Sequence, residues 1–125
     1  ARRADWVMPG LEEGRFLTGL QTPEAIARHF RDAGAELVVV KLGPEGAYVD
    51  GPGCTGRIPG APVANVVDTV GAGDGFAVGL ISALLDGKPL VQAVKRGAWI
   101  GARVVESVGD TGGLPTRIAL NAAGL

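Results

Sequence analysis

Residues 68–76 read Asp-Thr-Val-Gly-Ala-Gly-Asp-Gly-Phe, between a short apolar stretch at 63–67 and a long apolar one that runs to Leu85. A glycine-bearing turn between a strand and a helix suits phosphate. The first helical turn leaves backbone N–H groups unpaired, and the helix dipole adds partial positive charge there. Gly71 and Gly73, with the small Ala72 between them, keep side chains out of the path of an anion. Asp74 falls at the expected helix start. A carboxylate in that place could accept the proton of a hydroxyl attacking the terminal phosphate of ATP. Asp is also a preferred N-cap, and on Gly-Ala-Gly-Asp alone the two readings balance. The P-loop pattern is excluded because no Gly-Lys-Ser/Thr follows. The dinucleotide fingerprint is excluded because its third glycine and downstream acid are out of register.

The elements that must position this turn can be read from periodicity and punctuation. Residues 5–8 suggest a short buried strand stopped by Pro9-Gly10. Residues 11–18 suggest a brief helix with Glu12 and Glu13 in its first turn and Gly19 just past its end. Thr22 and Pro23 are the N-cap and first position of a second helix, with Ile26, Phe30 and Ala33 on one face and Gly34 closing it. Residues 36–42 (ELVVVKL) are a near-continuous β-branched run, the pattern of a strand covered on both faces. Gly43-Pro44-Glu45-Gly46 makes a turn and residues 47–50 return as a hairpin strand. Residues 51–62 read as Gly/Pro-rich loop with one weak strand near 56–58, and residues 63–67 as another strand. A helix over 74–85 is apolar almost all round and is expected to be buried. A last helix spans 89–107, before a glycine-bearing loop at 108–115. Helices alternating with such strands predict an α/β layered fold. Trp6 and Trp99 are assigned to the core. The Gly97-x-x-x-Gly101 spacing is assigned to close helix packing.

Size and composition fit this picture. The 125 residues suit one domain, with 46% hydrophobic and 20% charged residues, the balance of a globular chain with a real core. A net charge of −1 with no basic stripe argues against nucleic acid and anionic membrane as partners. Cys54 and His29 are each the only residue of their kind, so neither an internal disulfide nor a Cys/His zinc cluster can form. No run is long and apolar enough to read as a transmembrane helix and no signal-like segment opens the chain, so a cytoplasmic location is expected.

The run from Asp68 to Asp74, continued by Gly75-Phe76, resembles the D-T-x-G-A-G-D-x-F signature of PfkB/ribokinase-family carbohydrate kinases. Residues 40–46 resemble the family's strand-turn segment along the nucleotide. Glu13, after Pro9-Gly10-Leu11-Glu12, is similar to the acid of its N-x-x-E motif, with Gly10 where many relatives carry Asn. Residues 108–116 resemble its closing loop near the nucleotide and a monovalent-cation site. Two runs, 9–19 and 109–116, are most similar to the branch that acts on 2-keto-3-deoxygluconate.

The resemblance implies the C-terminal portion of a ribokinase-like three-layer α/β/α fold with a mostly parallel sheet. The whole of residues 1–125 would be one partial domain, with the N-terminal sugar-binding and lid part absent. It implies a kinase using ATP and Mg²⁺, with K⁺ as a further ion, on a sugar or sugar acid. Asp74 would be the base, and Gly71, Ala72 and Gly73 the anion hole. Lys41, Gly43, Gly46, Asp68, Thr69, Gly73, Ala98, Gly101 and Ala102 would line the nucleotide, Ala98 standing where ribokinases often have Asn. Glu13 would organise Mg²⁺, and Asp68 with backbone carbonyls near Ser107 and Gly109 would hold K⁺. Lys41 reads first as a strand residue with a solvated tip, and Glu13 reads equally as an acid that only favours its helix N-terminus. An open sheet edge implies a homo-oligomer or pairing with a missing N-terminal part. Fructokinase or another hexose kinase, and a nucleotide-binding or oligomerising module without catalysis, remain as alternatives.

Overall fold

The structure, a computed structural model, describes residues 6–61, 72–106 and 124–125. The chain forms two compact units, Ala1–Pro59 and Gly60–Leu125. The expected strand at 63–67, the turn residues Asp68, Thr69 and Gly71, and the loop with Ser107 and Gly109 lie outside the described residues.

In the first unit the order is β1 (Trp6–Val7), α1 (Leu11–Thr18), α2 (Pro23–Asp32), β2 (Leu37–Lys41), a 3₁₀ turn (Gly43–Glu45), β3 (Ala47–Gly51) and β4 (Cys54–Ile58). The four described strands make one sheet in the order β1-β2-β3-β4. β1 runs parallel to β2, with Trp6 opposite Leu37. β2–β3 and β3–β4 are antiparallel hairpins. The described sheet is therefore mixed, because the turns at 43–46 and 52–53 are too short for the crossover that parallel neighbours require.

Local chemistry explains the helices. The Thr22 hydroxyl accepts a hydrogen bond from the Ala25 N–H at 3.2 Å, and Pro23 occupies the first helical position. Ile26, Ala27 and Phe30 on α2 are buried with Val38, Val40 and Leu42 in one apolar cluster. α1 ends on Gly19 in the left-handed conformation, its N–H bonded to the Arg15 carbonyl. Its buried side rests on α2, so close that a Cβ on Gly14 would stand 2.9 Å from Ile26 Cγ2. The opposite side leaves Phe16 and Leu17 exposed.

Three expectations change. Trp6 is 40% exposed rather than in the core, because β1 is an end strand of the described sheet. The loop at 51–62 holds a full strand: β4 pairs with β3 from Gly51↔Cys54 to Ala47↔Ile58. The third change concerns the second unit, α3 (Ala72–Leu85) and α4 (Leu90–Val105). Only one face of α3 is buried, through Gly75, Phe76, Gly79, Leu80 and Ala83. Val78, Ile81 and Leu85 are exposed, so the apolar perimeter of α3 is not covered all round.

The second unit also contains a buried cation. Arg96 on α4 is 1% exposed. Its guanidinium donates to Asp86 Oδ2 at 2.9 Å and to Ser82 Oγ at 3.1 Å, and its Nε donates to the Leu125 carbonyl at 3.1 Å. One side chain thus ties the C-terminal end of α3 to α4 and to the last residue. Asp86→Ala removes the charge partner of a desolvated guanidinium, and an equilibrium denaturation experiment should show a loss of about 3 kcal/mol.

Cys54 on β4 is half-buried, and burial pushes its thiol up. The folded chain therefore favours the protonated form. The stability this contributes is complete below the unfolded thiol's pKa and is lost as pH rises through the folded value. Alkylation by iodoacetamide at pH 8 should be slower than for a free cysteine, and stability should fall with alkaline pH less steeply in Cys54→Ala.

Candidate active site

Two sets of expected residues occupy the described structure, one in each unit. In the first unit, the pairing of β1 and β2 continues past β1 as a parallel bridge between Gly10 and Lys41. The Lys41 N–H donates to the Pro9 carbonyl at 2.9 Å. The start of α1 is thereby fixed beside the C-terminal end of β2. Ligands in α/β sheets bind outside the carboxyl ends of the strands. Glu13, in the first turn of α1, accepts a hydrogen bond from the Gly10 N–H at 2.9 Å. Gly10 has no side chain to reciprocate, so this is half a capping box. The contact holds one carboxylate oxygen in place while the residue stays exposed.

Beyond half-buried Lys41 the chain turns sharply. The Leu42 N–H donates to the Gly46 carbonyl at 2.8 Å across the 3₁₀ turn. Gly43 and Gly46 have φ of 61° and 99°, values that side-chain-bearing residues rarely adopt. Both glycines are there for backbone geometry. Glu13, Lys41, Gly43 and Gly46 therefore gather at one end of the first unit's sheet.

In the second unit, α3 begins at Ala72, two residues earlier than expected. Gly73 and Asp74 thus lie inside its first turn, and both are exposed. Asp74 is the acidic residue of that turn, where the helix dipole favours negative charge. Exposed N–H groups and a carboxylate on one helical turn can hold a phosphoryl group and take up a proton.

The back of this turn rests on α4. A Cβ on Gly79 would lie 2.7 Å from Gly97 Cα, and one on Gly97 would lie 2.7 Å from the Phe76 carbonyl oxygen. The Gly97–Gly101 spacing is a packing surface, as expected, and Gly75–Gly79 is its counterpart on α3. That second glycine pair has the same four-residue spacing and was visible in the sequence. Ala98 is half-buried, while Gly101 and Ala102 are buried. Arg96 carried a weaker sequence signal, the second of two adjacent cations, Lys95 and Arg96, placed between Val94 and the small-residue run at 97–98.

Among the described residues, no three His, Cys, Asp or Glu side chains gather as a metal cage. Mg²⁺ in phosphoryl transfer is typically held by one or two carboxylates together with the substrate's phosphates, and the single fixed carboxylate of Glu13 fits that requirement. No helix among the described residues is long and apolar enough to cross a membrane.

The profile of the pfkB family carbohydrate kinases matches residues 1–117. This chain belongs to that family. It is 54% identical over 114 residues to the 2-dehydro-3-deoxygluconokinase of Bacillus subtilis, covering 91% of this chain and 35% of that protein. The crystal structure of a PfkB protein from Polaromonas sp. JS666 is 64% identical, with a TM-score of 0.83 over 97% of this chain and 37% of the other. A fructokinase from Vibrio cholerae, solved with fructose, ADP and calcium ion, is 36% identical with a TM-score of 0.84, covering 95% of this chain and 40% of the other. The ribokinase-like α/β class is borne out. The chain spans about a third of the length of the curated relatives it matches.

The glycine contacts carry a direct test of how this family member builds its turn. Gly→Ala in a helix interior normally raises stability by up to about 1 kcal/mol. Gly79→Ala, whose Cβ would meet backbone of α4, should instead cost about 1–3 kcal/mol in urea unfolding.

Proposed function

We propose that this chain is the nucleotide-handling part of a larger carbohydrate kinase, one partial domain whose sugar-binding and lid segments lie in the remainder of the polypeptide. The observation that carries the reading is the first turn of α3. In a chain of the pfkB family, that turn presents Gly73 and Asp74 to solvent at a helix N-terminus.

In this reading the N–H groups of Gly71, Ala72 and Gly73 receive the transferring phosphoryl group of ATP. One such preorganised donor contributes about 3–4 kcal/mol to the transition state. Asp74 takes the proton of the attacking hydroxyl, the hydroxyl oxygen bonds to the terminal phosphorus, and ADP departs with the electrons of the broken P–O bond. Glu13 would hold Mg²⁺, which when bound supplies neutralising charge on the phosphates. Lys41, Gly43, Gly46, Ala98 and Ala102 line the nucleotide, with Asp68 and Thr69 shaping the turn. Asp68 and the carbonyls near Ser107 and Gly109 are assigned to K⁺.

The substrate we infer is 2-keto-3-deoxygluconate, supported by the 54% identity to a kinase of that sugar acid. Fructose is the second reading, supported at lower identity by the Vibrio cholerae fructokinase. The protein is placed in the cytoplasm and acts as a homo-oligomer or through pairing of this part with its N-terminal part.

In the complete kinase, Asp74→Asn should leave Mg·ATP affinity within about threefold and lower kcat on the sugar acid by about 10²–10⁴. A coupled ADP-release assay with 2-keto-3-deoxygluconate and fructose in parallel reads both points. Turnover that survives Asp74→Asn overturns the assignment of the base. Nucleotide binding with no sugar-dependent turnover in the unsubstituted protein would favour a binding module.

A further inference from the structure

The packing of α4 against the first turn of α3 gives Gly101 a role other than lining the nucleotide. A Cβ built on Gly101 would lie 3.1 Å from the Ala72 carbonyl oxygen, 3.8 Å from Phe76 Cβ and 3.9 Å from the Phe76 N. In an α-helix the carbonyl of Ala72 and the N–H of Phe76 are the two ends of one hydrogen-bonded turn. Gly73 and Asp74 lie between them. The back of the turn that carries the proposed phosphate donors and the base therefore sits on the bare Cα of Gly101. Gly75, next to Asp74, is enclosed from the same helix, where its Cβ would meet Val104 Cγ2 at 3.0 Å and Ile100 Cγ2 at 3.3 Å.

The other contacts along this helix pair are of a different kind. At Gly79 and Gly97 an added carbon would fall within 2.7 Å of backbone, so those glycines are conditions for the two helices to pack at all. At Gly101 the approach is tight but short of collision. An added methyl there displaces the turn by a few tenths of an ångström. At the far end, Arg96 holds Ser82 and Asp86, so the displacement is confined to the N-terminal turn.

Resting on the kinase reading above, we propose that Gly101 is a positioning residue for the reaction: its missing side chain sets where Gly73 and Asp74 stand. Reaction rates are steep in such placement, about 10²-fold for a 1 Å error. Gly101→Ala in the complete kinase should lower kcat by about tenfold while KM for the sugar acid stays within about twofold. Alanine's better helix propensity keeps its melting temperature close to that of the unsubstituted protein. Val94→Ala, a buried truncation about two turns away in the same helix, should lower the melting temperature and leave kcat intact. Hydrogen exchange at the Phe76 amide, whose helical bond to the Ala72 carbonyl closes that turn, should quicken in Gly101→Ala and not in Val94→Ala.

Unchanged kcat and unchanged exchange in Gly101→Ala would overturn the proposal. So would a Gly101→Ala protein that fails to fold, since the contact would then belong to the core and not to the placement of one turn. If the unsubstituted protein shows no phosphoryl transfer but the Phe76 amide still responds to Gly101→Ala, the kinase reading fails and the positioning contact stands.

Discussion

The second unit depends on one close contact, backbone against backbone, where α3 crosses α4. At Gly79 and Gly97 the helices approach until no Cβ fits between them. Such an approach is available only to glycine, and it fixes the crossing more tightly than interdigitating side chains would. Two consequences follow from the same geometry. The first turn of α3 gains a firm back, so its exposed face can hold Gly73 and Asp74 in a set position. The C-terminal ends are then secured by a buried guanidinium, Arg96, which reaches Ser82, Asp86 and the Leu125 carbonyl at once. A charge so deeply buried is tolerable only because its donors are this well used.

The first unit reaches its own site by a different route. Parallel pairing of β1 with β2 brings two strand ends side by side, and the Gly10–Lys41 bridge extends that pairing to the first residue before α1. Glu13 is then placed by a single backbone hydrogen bond, and the turn at 43–46 by two glycines with positive φ. Little of this relies on the apolar core beyond the rigidity of β2, whose Leu37, Val38, Val39 and Val40 are all buried.

Much of this was legible in the residue order, because local punctuation decides it. Thr22-Pro23 starts α2, Gly19 stops α1 and the run at 36–42 holds β2, buried from Leu37 to Val40, as their patterns require. Features set by tertiary partners were less legible. β4 escapes a hydrophobic reading because Cys54, Thr55, Gly56 and Arg57 lack an apolar alternation, and its pairing with β3 makes it a strand. Trp6 is exposed because of its place in the sheet order, which no local pattern encodes. The apolar perimeter of α3 suggested burial on all sides, yet Val78, Ile81 and Leu85 face solvent. At the candidate site the residue types of the glycine turn pointed to phosphate chemistry. The close seat of that turn on Gly101 became visible only in three dimensions, since a glycine in a helix looks the same in sequence whatever lies across from it.

Phosphate binding at the N-terminal turn of α3 can be read by calorimetric titration of the chain with Mg·ADP. Gly73→Val puts a branched side chain into the exposed turn without touching the α3–α4 contact, so the variant should fold. The unsubstituted chain should bind, and Gly73→Val should weaken that binding at least about tenfold, the loss expected when well-placed anion donors are blocked. Equal affinity in two equally folded proteins would place the phosphate elsewhere and contradict it.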